Sequence, residues 1–152
     1  MKPISVISLA IIMSVSLYAC GGDVFFAAHG GMADLTSRNL TREFVKLDGE
    51  WEFYPGVFIP YGEFDRFSSR KKVLHVPGIW NGLEYAGSPL GGFGFGTYRL
   101  RVRAHPPQDG RMALKILDAA TAYTLFINDV RTAANGIVSE TPENARAAHR
   151  PL

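Results

Sequence analysis

With a single cysteine, Cys20, in 152 residues, the chain forms no intrachain disulfide, and its fold must be held by its core. Local zinc signatures are missing as well. His29, His75, His105 and His149 lie too far apart to place two ligands on one element. Beyond the first twenty residues there is no long stretch of helical period, and there is no internal repeat. This favours an antiparallel β-sandwich over an α/β fold. Charge of one sign is scarce too: 16 Lys plus Arg stand against 14 Asp plus Glu, and losing Lys2 with the first nineteen residues leaves a formal charge of +1. No nucleic-acid partner is implied. A Gly-x-Ser-x-Gly elbow is absent. The glycines from Gly91 to Gly96 fit no Gly-x-Gly-x-x-Gly spacing and precede no helix that would receive a pyrophosphate, so no cofactor is expected. Asn39-Leu40-Thr41 matches a glycosylation sequon only as short motifs do by chance.

What is present is the makeup of a globular domain, 47% hydrophobic and 12% aromatic. Lys2 precedes an apolar run from Ile4 to Tyr18, followed by Leu17-Tyr18-Ala19-Cys20 at its end. The run is about fifteen residues, short of the roughly twenty that span a bilayer, so it reads as an export signal of the lipoprotein type. Residues 1–19 are then a signal peptide, and Cys20 the lipidated terminus that anchors the chain to a membrane on the periplasmic side or at the cell surface. Residues 20–32 read as a tether, 33–138 as the folded part, and 139–152 as an irregular polar tail.

Within the folded part, Trp51 and Phe53 alternate with Glu50, Glu52 and Tyr54, the period of a strand with one apolar and one wet face. Glu50 and Glu52 are expected to be solvated carboxylates, since same-face neighbours stand side by side and cannot face each other across a glycosidic bond. Val73 to Val76 forms a strand that Pro77 and Gly78 stop, and Gly82 to Gly96 a glycine-rich loop. Thr97 to Ala104 is the clearest strand, with Tyr98, Leu100, Val102 and Ala104 on one face and Arg99, Arg101 and Arg103 on a solvent face. Met112 to Leu117 reads as a returning strand, and Ala122 to Ile127 with Val130 to Ala134 as a hairpin across Asn128-Asp129. Trp51 and Tyr98 are expected in the core.

Leu47-Asp48-Gly49-Glu50-Trp51-Glu52-Phe53-Tyr54, Val76-Pro77-Gly78-Ile79-Trp80-Asn81 and Gly94-Phe95-Gly96-Thr97-Tyr98-Arg99-Leu100, with Leu114 to Asp118, Ala122-Tyr123 and Ala134-Asn135-Gly136, recur in order and spacing. In this the chain resembles the extracellular jelly-roll domain of bacterial seven-transmembrane receptors with diverse intracellular signalling modules. It is similar, more distantly, to the non-catalytic sugar-binding domain of family-two glycoside hydrolases. The resemblance implies an all-β antiparallel sandwich or jelly roll, incomplete at its C-terminal end because related domains continue past Asn135-Gly136, and hence a truncated product or fragment. It also implies a non-enzymatic sensory module that signals through a membrane partner or a dimer. Arg99 falls where related domains keep a Tyr-Arg pair for packing, and Asp129 where they usually carry glycine. The glycosidase relatives keep their catalytic acids in a separate barrel domain, so no catalytic residue is expected here. A hydrolase-derived sugar-binding domain and a structural or adhesive surface lipoprotein are the competing readings.

Sugar recognition asks for flat apolar faces against C–H groups, and for amides or carboxylates against hydroxyls, on loops at one end of a sandwich. Trp80, Asn81, Glu84, Tyr85, Tyr123 and Asn135 are the candidates for a carbohydrate or another small polar ligand. For Trp80 a competing role is to plug the sandwich end with its indole nitrogen bonded to a backbone carbonyl.

Overall fold

The computed structural model describes residues 27–105, 111–116 and 122–148. The export signal, Cys20 and the end of the tail lie outside the described residues. Among these residues, no helix is long and apolar enough to cross a membrane.

Strand is the dominant regular structure, and the class is all-β. In chain order the strands are β1 (Met32–Asp34), β2 (Gly49–Pro55), β3 (Lys72–Val76), β4 (Glu84–Tyr85), β5 (Ser88–Pro89), β6 (Gly96–Arg99), β7 (Arg101–Arg103), β8 (Tyr123–Ile127) and β9 (Val130–Asn135). A 3₁₀ helix, Phe64–Arg70, joins β2 to β3. Strand pairing gives a three-stranded antiparallel sheet in the order β3-β2-β6 and three two-stranded pairs, β1-β7, β4-β5 and β8-β9. The pairings among the described residues do not by themselves close a sandwich, and β1-β7 is parallel rather than antiparallel.

The parallel pair arises because residues 28–35 enter between two strands that splay apart. β2 and β6 are bonded from Glu52↔Arg99 to Pro55↔Gly96. Towards the other end the incoming segment takes over both partners. Glu50 N donates to Ala28 O at 2.7 Å and Gly31 N to Glu50 O at 3.0 Å on one side, while Arg101 N donates to Gly31 O at 2.9 Å and Leu35 N to Arg103 O at 2.7 Å on the other. The backbone groups of both flanking strands are therefore satisfied by this segment. The expected single strand from Thr97 to Ala104 divides for this reason: at Leu100 the chain changes partner from β2 to β1. Ala28, which falls within the expected 20–32 tether, is fully buried, and its N–H donates to Asp48 O.

Small residues make the insertion feasible. A Cβ on Gly49, at φ +122°, would stand 2.5 Å from the Ala28 backbone, and a Cβ on Gly31, at φ +80°, would overlap Glu52 Cγ. Both positions combine a left-handed backbone with close approach, which only glycine meets without strain.

β2 is covered on both faces. Glu52, Phe53 and Tyr54 are 1–2% exposed, so the expected division into one apolar and one wet face fails for this strand. Cross-strand register places Trp51, Phe53, Leu74 and Tyr98 on one side and Glu50, Glu52, Tyr54, Val73, Thr97 and Arg99 on the other. On the apolar side Phe53 packs against Tyr98, centroids 4.6 Å apart, and burial of a side chain of this size contributes roughly 1.5–3 kcal/mol. Tyr98 itself remains 36% exposed, so it edges the core rather than filling it. Trp51 is half-buried with its Nε1 donating to Leu47 O at 2.8 Å.

The hairpin β8-β9 forms as expected. Asn128 at φ 49° and Asp129 at φ 70° build a two-residue turn with both central residues left-handed, the geometry that suits the twist of a hairpin. Residues 111–116 carry no strand, against the expected return from Met112 to Leu117, whose last residue lies outside the described set. Most of that segment is exposed, Met112 and Leu114 included, and no other strand pairs with it. In the tail, Ile137 and Arg146 pair across a turn from Thr141 to Asn144.

Candidate functional site

The loop from Pro77 to Phe95 holds four of the expected ligand residues, and its own backbone shapes it. Leu83 N donates to Trp80 O at 3.0 Å, Gly82 N to Leu90 O at 2.9 Å and Leu90 N to Leu83 O at 2.9 Å, which sets up the short ladder β4-β5. Ala86 and Gly87, both at positive φ, turn its tip. Trp80 lies almost parallel to Phe53 at 5.5 Å and to Tyr98 at 6.4 Å, extending the apolar side of the sheet into the loop. Its Nε1 donates to Gly91 O at 3.1 Å, so the indole both plugs the sheet end and keeps the far side of the loop in place. Asn81 and Glu84 are exposed, Tyr85 and Trp80 half-buried. The loop thus presents an amide and a carboxylate beside two aromatic rings.

Tyr123 and Asn135 lie on a different element, the β8-β9 hairpin. They face each other across β8-β9, and that hairpin pairs with no other strand among the described residues. Asn135 is committed to the tail: its Nδ2 donates to Ala148 O, while its Oδ1 is buried without a hydrogen-bond partner. This is a packing role for the amide nitrogen. Cys20, the expected lipidation site, lies outside the described residues.

A second polar centre was not expected. Glu52, read as a solvated carboxylate, is buried and ringed by donors. Tyr54 Oη donates to its Oε2 at 3.0 Å, Arg99 Nη1 lies 3.5 Å from the same oxygen, and Arg101 Nη2 and Lys71 Nζ lie 3.3 and 3.9 Å from Oε1. The cover comes from Gly31 above and from Phe64 of the 3₁₀ helix, which packs on Tyr54 and receives the Arg99 guanidinium 4.2 Å over its ring. Burial, and secondly the bond to Glu52, push the Tyr54 hydroxyl above its ordinary value of 10.0. Burial does the same to Tyr98. The arginine row is therefore paired rather than simply solvated: Arg99 and Arg101 reach Glu52, and Arg103 Nη1 lies 3.5 Å from Asp34 Oδ2. Hydrogen bonds from the Thr36 hydroxyl and backbone hold the Asp34 carboxyl below its usual 3.8.

The signal for the Glu52 centre was in the sequence, as Glu50-x-Glu52 beside Arg99-x-Arg101-x-Arg103, but alternation alone does not say which face a distant segment will cover. Among the described residues no group of three or more His, Cys, Asp or Glu is placed to hold a metal ion. No family model, curated protein or solved structure matches the chain.

Proposed function

We propose that this chain is the extracytoplasmic ligand-binding module of a bacterial sensory system, built as part of a β-sandwich and taking a carbohydrate or a similar small polar molecule at the Pro77–Phe95 loop. It performs no catalysis of its own, is tethered to the membrane through Cys20, and acts through a membrane partner or a dimer. The observation that carries the reading is the Trp80 ring stacked on Phe53 and Tyr98, with Asn81 and Glu84 exposed on the same hydrogen-bonded loop. A flat apolar face next to an amide and a carboxylate is what a sugar ring with one C–H face and equatorial hydroxyls requires. Glu52 offers no catalytic carboxylate to a substrate, since it is enclosed, hydrogen-bonded to Tyr54 and Arg101, and ion-paired with Arg99 and Lys71.

The test is a panel of neutral mono- and oligosaccharides titrated into the whole chain while tryptophan fluorescence is read. A saturable change that persists in W51F and is lost in W80F supports the assignment. A flat response of the wild type across the panel, or a response retained by W80F, removes the loop as the sugar site.

A further inference from the structure

The inserted segment and β7 leave a shallow groove of about 440 Å³, lined by Met32, Arg101, Val102, Arg103 and Ala104. It is separate from the Trp80 loop in sequence and in strand order. Parallel register sets Met32 opposite Arg101 and Asp34 opposite Arg103, so Met32 and the two guanidiniums share one face. Met32, large and apolar, is 37% exposed there, while Val102 alternates with the two arginines and faces the other way. The charges around the groove are unbalanced. Lys71, Arg99 and Arg101 converge on the one carboxylate of Glu52, and Arg103 on Asp34. Glu50, the remaining acid on that side of β2, is engaged elsewhere, with Oε2 accepting from Gly30 N at 2.9 Å and lying 3.9 Å from His29 Nδ1. Around Glu52 and Asp34 four cations thus meet two carboxylates, three with Glu50 included, and of these cations Arg101 and Arg103 line the groove. The side chains of Arg101 and Arg103 are 49% and 67% exposed, with Arg101 Nη2 3.3 Å from Glu52 and Arg103 Nη1 3.5 Å from Asp34. A guanidinium carries five donors in a planar fork that suits an oxyanion.

From this geometry we infer that the groove binds a small organic oxyanion, a carboxylate or phosphate ester whose carbon skeleton rests on Met32 while its anionic group bridges Arg101 and Arg103. The buried Glu52 stays out of contact with the ligand and fixes Arg101 in place. Asp34 does the same for Arg103, and its charge limits affinity. Binding is therefore weak at high salt, because the half-exposed guanidiniums are screened.

The experiment uses the whole chain labelled with ¹³C at the methionine methyls, assigned by M32L, and titrated separately with a hexuronate, a hexose 6-phosphate and the neutral hexose. The Met32 methyl resonance is expected to move saturably with the uronate, the phosphate ester or both, and not with the neutral sugar. Which of the two anions binds identifies the anionic group. In R103Q, where an exposed side chain is changed and folding is checked by circular dichroism, the dissociation constant should rise about tenfold, the loss expected for one charge-assisted hydrogen bond. Absence of a shift with both anions, an equal shift with the neutral hexose, or an unchanged constant in R103Q overturns the assignment. Tryptophan fluorescence followed in the same titrations reports on the Trp80 loop, so failure of one site is read separately from failure of the other.

Discussion

Replacing Glu52 by glutamine keeps the shape of the side chain and removes its charge. In the folded state Tyr54 Oη, Arg99, Arg101 and Lys71 all converge on this carboxylate, which is 2% exposed. Breaking a fully buried ion pair by removing one partner costs about 3–5 kcal/mol. Here only the acid is enclosed. Arg99 is 29% exposed, and Lys71 and Arg101 close to half, so water recovers part of the loss and the expected cost falls to about 2 kcal/mol. For a folded unit of this size that is a fall in Tm of roughly 8 °C, with the urea midpoint lowered at unchanged slope. E50Q is the control, because Glu50 is exposed and should stay within about 0.5 kcal/mol of the parent. Both variants are to be unfolded by heat and by urea at neutral pH. Equal stabilities for E52Q and E50Q would refute the argument that an enclosed carboxylate organises this side of the sheet.

Raising the pH gives a further check. The unfolded chain ionises its tyrosines near 10.0, whereas burial holds the folded Tyr54 protonated to higher pH. Its contribution is therefore fully present below about 10 and is lost as pH climbs through the raised folded value, at up to about 1.4 kcal/mol per pH unit. Urea midpoints between pH 8 and 11.5 should fall less steeply in Y54F than in the parent, and identical slopes would contradict the assignment. At the hairpin turn, Asp129 sits at φ 70°, which glycine adopts more easily. D129G is expected to stabilise β8-β9 by about 0.5–1 kcal/mol, seen as slower amide exchange of Leu125 and Ala133, and faster exchange would count against the turn geometry.

Local pattern made the strands legible where their partners were also local. The hairpin from Tyr123 to Asn135 was readable because alternation and turn lie within a dozen or so residues. β3 needed only the stop supplied by Pro77, and the contact of the Trp80 indole with a backbone carbonyl followed from its place just past that stop. Glu52 was misread for the opposite reason. Period-two alternation puts it beside Glu50, but the cover that encloses one and spares the other comes from residue 31, well upstream, and from the 3₁₀ helix that folds back from beyond the strand's end, and neither is signalled by the strand's own pattern. The same non-local segment interrupts the arginine strand at Leu100, where the alternation itself shows no fault. Of the candidate ligand residues, the four on the Trp80 loop stand together because adjacency in sequence carried them there. Tyr123 and Asn135 join them by chemistry alone, since they lie on a hairpin that shares no backbone pairing with the loop.

The entry of residues 28–35 between β2 and β7 also sets an order of events. Those residues are synthesised before both of their bonding partners, and one of these, Arg101 to Arg103, is not made until some seventy residues later. Until then Gly31 and Leu35 have one side of their backbone unclaimed. β2 can pair with β3 early, across a short connection, whereas the parallel bonds close a long loop and come at a higher entropic cost. The inserted segment is thus expected to lock after β2 and β3 have paired, because half of its backbone bonds wait on the return of β7.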